Sequence, residues 1–148
     1  MKKVISILLC AVFAVTAAVP CFAQGTEEPS VTTYSYTEDL GDGFTLETTV
    51  EVSTSLARSS RGASKTAEIK HYGTIVGVAV LKATFNYDGS TSSAASSSGV
   101  YSTASGWSFS GSSTWCYDAT AYLSTTLTGS SNYPISLSLT CTPSGAIR

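Results

Sequence analysis

The chain carries a single histidine, His71, between Lys70 and Tyr72. One imidazole cannot build a histidine-rich metal site, and as a general base it needs a nucleophile and an orienting acid beside it. No serine sits in a G-x-S-x-G turn, so a strand-end or surface position is the expected role of His71. Paired carboxylates hydrolyse glycosides when held roughly 5–10 Å apart. Glu47 and Glu51 share one face of an alternating segment, but four residues of strand separate them by about 13 Å, with Thr49 between them. Glu38, Asp39 and Asp42 cluster in a turn yet lack the D-x-D-x-D-G spacing and distal glutamate of a calcium loop. A solvated acidic turn is expected there. Arg58, Arg61, Lys65 and Lys70 form a basic cluster, expected to be a solubilising loop that pairs with the acidic N-terminal half. No catalytic, metal or cofactor site is therefore expected, and the chain reads as non-enzymatic.

Aromatic side chains offer a different chemistry. Trp107, Phe109, Trp115 and Tyr117 fall on one parity of a single stretch. Facing inward, they form a packing centre; facing solvent, Trp107, Trp115 and Tyr117 form a flat platform of the kind that stacks on sugar rings. The inward reading is the expectation, because a chain poor in Leu and Ile needs large residues inside. Ser108, Ser110, Ser112, Ser113 and Thr114 surround the row and could exchange hydrogen bonds with sugar hydroxyls.

These residues must be positioned by strands. Of 148 residues, 26 are Ser and 21 are Thr, 43% are hydrophobic and 12% are charged. Such a mix favours pleated, half-buried strands over helices, and its apolar content excludes a wholly disordered chain. A net charge of −2 leaves no general basic footprint for nucleic acid.

Residues 1–23 read as an address. Lys2 and Lys3 precede an apolar run from Val4 to Val19, Pro20 breaks it, and Cys21-Phe22-Ala23 puts small residues at −3 and −1 of a cut before Gln24. That is the architecture of a secretory signal peptide, and the run falls short of the roughly 20 residues that span a bilayer. Ala18-Val19-Pro20 is a poor lipoprotein signal ahead of Cys21, so no stable membrane anchor is expected. Cleavage leaves Cys116 and Cys141 as the cysteines of the exported chain, and an even pair in an oxidising compartment is expected to bridge. The loop of about 25 residues would contribute about 3–4 kcal/mol in the chain-entropy model. Two turns separate the cysteines. In a flat meander they would sit two strand spacings apart, about 9.6 Å, beyond the roughly 6.8 Å limit between bridged Cα atoms. A bridge thus implies that the chain changes sheets between them or that strand order is not sequential.

After an acidic, loose lead over residues 24–30, turn signals punctuate alternating segments. Val31 to Thr37 leads into the Asp42-Gly43 hairpin signal, and Phe44 to Leu56 returns with Phe44, Leu46, Val50 and Val52 on one face. Residues 57–65 read as a loop. Thr66 to Tyr72 and Thr74 to Asp88 pair around Gly73, the second as a central strand with Ile75, Ala79, Leu81 and Phe85 inward. Gly89 to Ser98 reads as a long loop or weak edge strand. Gly106 to Cys116, Thr120 to Thr128 and Pro134 to Thr142 complete the set, with Leu123, Leu127, Ile135, Leu137 and Leu139 as core candidates. The expected architecture over residues 31–148 is a single antiparallel β-sandwich, Ig-like in general outline.

The stretches Tyr36–Phe44, Leu81–Ser90 and Leu139–Gly145 resemble a family of small exported all-β proteins from clostridia-type Gram-positive bacteria. The resemblance implies export and an all-β fold. That family has no assigned activity, so no functional residue carries over. The leading expectation is a secreted interaction or structural protein whose extracellular partner is a protein or a glycan. A carbohydrate-binding module using the aromatic row is the alternative. A membrane-active β-hairpin toxin is the third, from the apolar and Ser/Thr alternation of Ala119 to Thr128.

Overall fold

A computed structural model describes residues 30–53 and 59–148; the expected signal peptide, all of the acidic lead except Ser30, and Arg58 lie outside the described residues. The described chain is all-β: β1 (Val31–Gly41), β2 (Phe44–Ser53), β3 (Ser60–His71), β4 (Thr74–Tyr87), β5 (Ser92–Thr103), β6 (Ser108–Tyr117), β7 (Thr120–Thr128) and β8 (Asn132–Thr140). β1 to β5 form one antiparallel sheet in sequential order, and β6 to β8 form a second. Both sheets contribute to one core. An immunoglobulin sandwich interleaves its strands through Greek-key connections. Here each sheet is a plain meander, and the chain crosses between sheets once, from β5 to β6. The Ig-like expectation is corrected accordingly.

The hairpins follow from backbone sign. Asp42 and Gly43 hold φ at 52° and 77°, and Tyr72 and Gly73 at 47° and 81°, the paired left-handed conformations whose twist matches that of the flanking strands. The two turns also meet, with the Tyr72 amide donating to the Gly43 carbonyl at 2.8 Å.

The expected loop over residues 57–65 is strand from Ser60, and of the two readings of residues 89–98 the edge strand holds from Ser92. β3 begins at Ser60, and the serine-rich stretch from Ser92 onward pairs with β4 along its length. A long partner backbone supplies the ladder, and it overrides the weak preference of Ser and Gly for loops.

The core lies where alternation points inward. Val50, Ala67, Ile69, Ala79, Leu81 and Phe85 of the large sheet face Ala121, Leu123, Leu127, Ile135, Leu137 and Leu139 of the small one. Of the expected core residues, Leu46 is half-buried near the edge of the covered area and Ile75 is exposed. The Ile75 expectation fails for a local reason. Between Ile69 and Lys70 the β3–β4 register slips, Ile69 pairing with Gly77 and Lys70 with Ile75. Val76 is the inserted residue and is buried, and Ile75 is turned outward. A bulge of this kind reverses the faces on one side of itself.

The cations of β3 are not in a solubilising loop. Arg61 and Lys65 pair across to Phe85 and Leu81, so both point toward the core side. Each reaches the margin of the small sheet: Arg61 Nη1 donates to the Gly145 carbonyl, and Lys65 Nζ to the Ser138 carbonyl at 3.4 Å. Arg61 also lies 5.7 Å from the Tyr87 ring centre, a cation–π distance. Their aliphatic stems cover apolar surface while the heads tie β3 to β8 and the C-terminal turn.

Gly77 of β4 meets Leu127 of β7 across the core. A Cβ at Gly77 would lie 2.7 Å from a Leu127 methyl, whereas a Cβ at Gly62 meets nothing within 4 Å. Gly77→Ala is expected to destabilise the fold by about 1–3 kcal/mol through overpacking, and Gly62→Ala to be neutral or stabilising by up to about 1 kcal/mol. Urea unfolding of both variants checks this; equal effects would remove the close approach as the cause.

Candidate functional site

The aromatic row does not keep one parity. Ser110 pairs with Thr126 and Ser113 with Ser124, so the β6–β7 register slips between them. Gly111, at φ 63°, supplies the left-handed residue that such a bulge needs. Before the slip, Phe109 pairs with buried Leu127 and points inward; after it, Trp115 pairs with outward-facing Tyr122. Trp107 and Phe109 thus join the core margin. Trp107 packs edge-on to Phe44, its ring centre 5.8 Å away, and Phe109 lies 5.3 Å from Tyr101. Trp115 and Tyr117 face solvent, 45% and 68% exposed. The expectation that the whole row faces the core is corrected for these two.

On the outer face of the small sheet, Trp115 and Tyr122 lie cross-strand with ring centres 5.1 Å apart and planes within 10°. The pair forms one wall of a shallow groove of about 270 Å³, floored by Ser124, Ser136 and Ser138. The register continues the hydroxyl surface away from the rings: Ser113, Ser124 and Ser136 form one row, and Tyr117, Thr120 and Thr140 another. No Asp, Glu, Lys or Arg occurs among Ser108–Tyr117, Thr120–Thr128 or Asn132–Thr140. The face is aromatic at one end and rich in hydroxyls, its own strands carry no charge, and the Lys65 ammonium stands at its β8 margin. Tyr122 and the β8 serines were not singled out from the sequence, although strict alternation of Thr120–Thr128 places Tyr122 opposite Leu123 in sense. The missing signal was the bulge that brings Trp115 to the same side.

The other candidate chemistry resolves into packing and ion pairs. His71 stacks on Phe44 at 4.0 Å with planes 12° apart and tilts against Tyr72 at 4.5 Å, which is a structural role at the strand end. Glu47 does have a closer acidic neighbour than Glu51: Glu68 sits directly across from it on β3. Lys70 binds both carboxylates, Glu47 closely and Glu68 at 3.5 Å. The hydrogen bond to Glu47, with the charge of both acids behind it, raises the Lys70 ammonium above the ordinary lysine range. The triad lies on a solvated sheet surface. Among the described residues no three His, Cys, Asp or Glu side chains gather in a way that could hold a metal ion.

Cys116 and Cys141 are free thiols, the first exposed and the second buried. The strand order β6-β7-β8 explains it. The chain does not change sheets between the two residues, which leaves the flat-meander geometry of about 9.6 Å, too long for a bridge. The disulfide expectation is corrected on that ground.

No family model, curated protein or solved structure matches this chain. The exposed Trp115–Tyr122 groove is the feature whose chemistry points most directly to a ligand.

Burial pushes the Cys141 thiol up, partly opposed by the nearby charge of Arg61, and a thiol above its usual value is a poor nucleophile at neutral pH. Peptide-resolved alkylation of native protein is expected to modify Cys116 quickly and Cys141 only after denaturant is added. Recovery of a linked peptide containing both cysteines would overturn the unbridged assignment.

Proposed function

We propose that this chain is an exported, non-enzymatic binding protein that recognises neutral carbohydrate on the outer face of β6, β7 and β8. The observation that carries the reading is the outward turn of Trp115 against Tyr122. Sugar rings present apolar C–H faces, and an indole already fixed by a stacked neighbour meets them at small entropic cost. The serine and threonine rows beside the groove supply short donors and acceptors for ring hydroxyls. Strands without a charged side chain suit an uncharged ligand, and the nearby Lys65 ammonium is engaged by the Ser138 carbonyl at the β8 margin. Export rests on the residue 1–23 pattern of basic start, apolar run and small residues at the cut, and it places the face among cell-surface and environmental polysaccharides. The apolar sides of β7 and β8 are occupied by the core, which disfavours the membrane-active alternative, because a barrel hairpin needs them for lipid.

Tryptophan emission is expected to hold two components, a blue one from half-buried Trp107 and a redder one from Trp115. The redder component should shift when a neutral polysaccharide from a panel of cell-wall and plant glycans binds. Trp115→Ala should remove it and weaken binding by about 30-fold, the roughly 2 kcal/mol of a central aromatic anchor, without moving the thermal midpoint. Emission that every glycan in the panel leaves unchanged would sink the carbohydrate reading, and leakage of dye from liposomes would replace it with the membrane-active one.

A further inference from the structure

β1 is the one sheet edge among the described residues that nothing protects. Ten of its eleven residues are exposed and Leu40 is half-buried. It pairs with β2 on one side and with no described residue on the other. The remaining edges are each blunted. β5 carries the extra residue Ala95 between paired Ala94 and Ser96, and its Ala94 amide donates to the Asp118 carbonyl. β6 has the bulge at Gly111. β8 has Pro134, and its far end exchanges both backbone hydrogen bonds between Thr140 and Arg148. β1 has no Pro or Lys, and its one irregularity falls at its end, between Asp39 and Gly41. A long, regular, β-prone edge of this kind is a template for another strand.

The sequence of β1 specifies which strand. Thr33-Tyr34-Ser35-Tyr36-Thr37 reads the same in both directions about Ser35. An antiparallel partner of identical sequence, related by a two-fold axis through Ser35, sets Tyr34 opposite Tyr36, Thr33 opposite Thr37 and Ser35 opposite itself. That is the self-complementarity an isologous interface needs. The charges agree. Glu38 and Asp39, the two ionisable acids of β1, would face Thr32 and Val31 of the partner, whereas a parallel pairing would oppose Glu38 to Glu38.

We propose that two copies of this chain associate edge to edge through β1 into one continuous sheet. The interface would include four tyrosines, Tyr34 and Tyr36 from each copy, now 44% and 51% exposed. Together these rings bury only about 400 Å², short of the roughly 1,000 Å² of a stable interface. Strand pairing provides the rest, so the dimer is reversible and forms at micromolar concentration.

Sedimentation equilibrium of the full exported chain, with a reductant present to exclude links through Cys116, tests the proposal. Wild type should show a concentration-dependent monomer–dimer equilibrium. Ser35→Lys and Ser35→Glu should each weaken it by roughly tenfold or more, because the two-fold axis opposes like charges. Mixing the two variants in equal amounts should restore dimer as the heterodimer. Both substitutions sit on an exposed position, and unchanged thermal midpoints establish that both variants fold. Wild type that stays monomeric at high micromolar concentration overturns the proposal. So does a dimer that Ser35→Lys leaves intact, or a mixture of variants that fails to associate.

Discussion

Leu127 of β7 places its methyl groups where a side chain of residue 77 on β4 would otherwise be, so a residue without a Cβ is what lets the two sheets meet at this point. The core around it is thin in large residues. Ala63, Ala67, Ala79, Ala83 and Ala121 are buried beside Phe85, Ile69 and a few leucines. Small residues at facing positions let the layers close to full packing density, which a chain with so little Leu and Ile could not otherwise reach. Close approach has a geometric consequence. The small sheet packs over β3, β4 and β5, and β1 overhangs. Its tyrosines are exposed because three strands do not cover five.

The parts that follow alternation were legible in the sequence. Phe44, Val50, Val52, Ala79, Leu81 and Phe85 lie where period two places them, as do the leucines of β7 and β8. Asp42-Gly43 makes the hairpin its chemistry demands. The side chains placed on the wrong face share one cause: an inserted residue changes the sense of every position beyond it. Val76 did this to Ile75, and Gly111 did it to Trp115 and Tyr117. No local residue type announces such an insertion unambiguously, since Val is an ordinary strand residue and Gly111 sits in a run of serines. The strand over residues 60–65 was missed for another reason, and that over 92–98 was open between loop and edge strand. Their propensity is weak, and only the neighbouring β4 backbone makes them strands.

The same insertion separates two roles within ten residues of β6. Phe109 helps to close the core with Tyr101, while Trp115 presents its ring to solvent against Tyr122. Without the bulge, one parity would send both inward and leave Thr114 and Cys116 on the outer face. The candidate site thus depends on a defect in the ladder rather than on any motif, which is why its residues are scattered over three strands with no signature spacing. Arg61 serves a different end: it holds the C-terminal turn against β3 through the Gly145 carbonyl, while the Cys141 amide donates to the Ala119 carbonyl.

Charge is distributed unevenly between the two outer surfaces. Glu47, Glu51, Glu68, Lys70 and Lys82 lie on the large sheet's outward side, with Glu47, Glu68 and Lys70 locked in one triad, whereas the outward side of the small sheet has none. A ligand of the proposed kind would meet no charged side chain on the three strands of the small sheet, and would find the Lys65 ammonium at the β8 margin, against the Ser138 carbonyl. Its encounter rate should be that of unguided docking, about 10⁵–10⁶ M⁻¹s⁻¹ for a macromolecular partner. Under the proposed reading, recognition on this face would draw on stacking and short hydroxyl contacts, which ionic strength affects far less than it affects charge pairs.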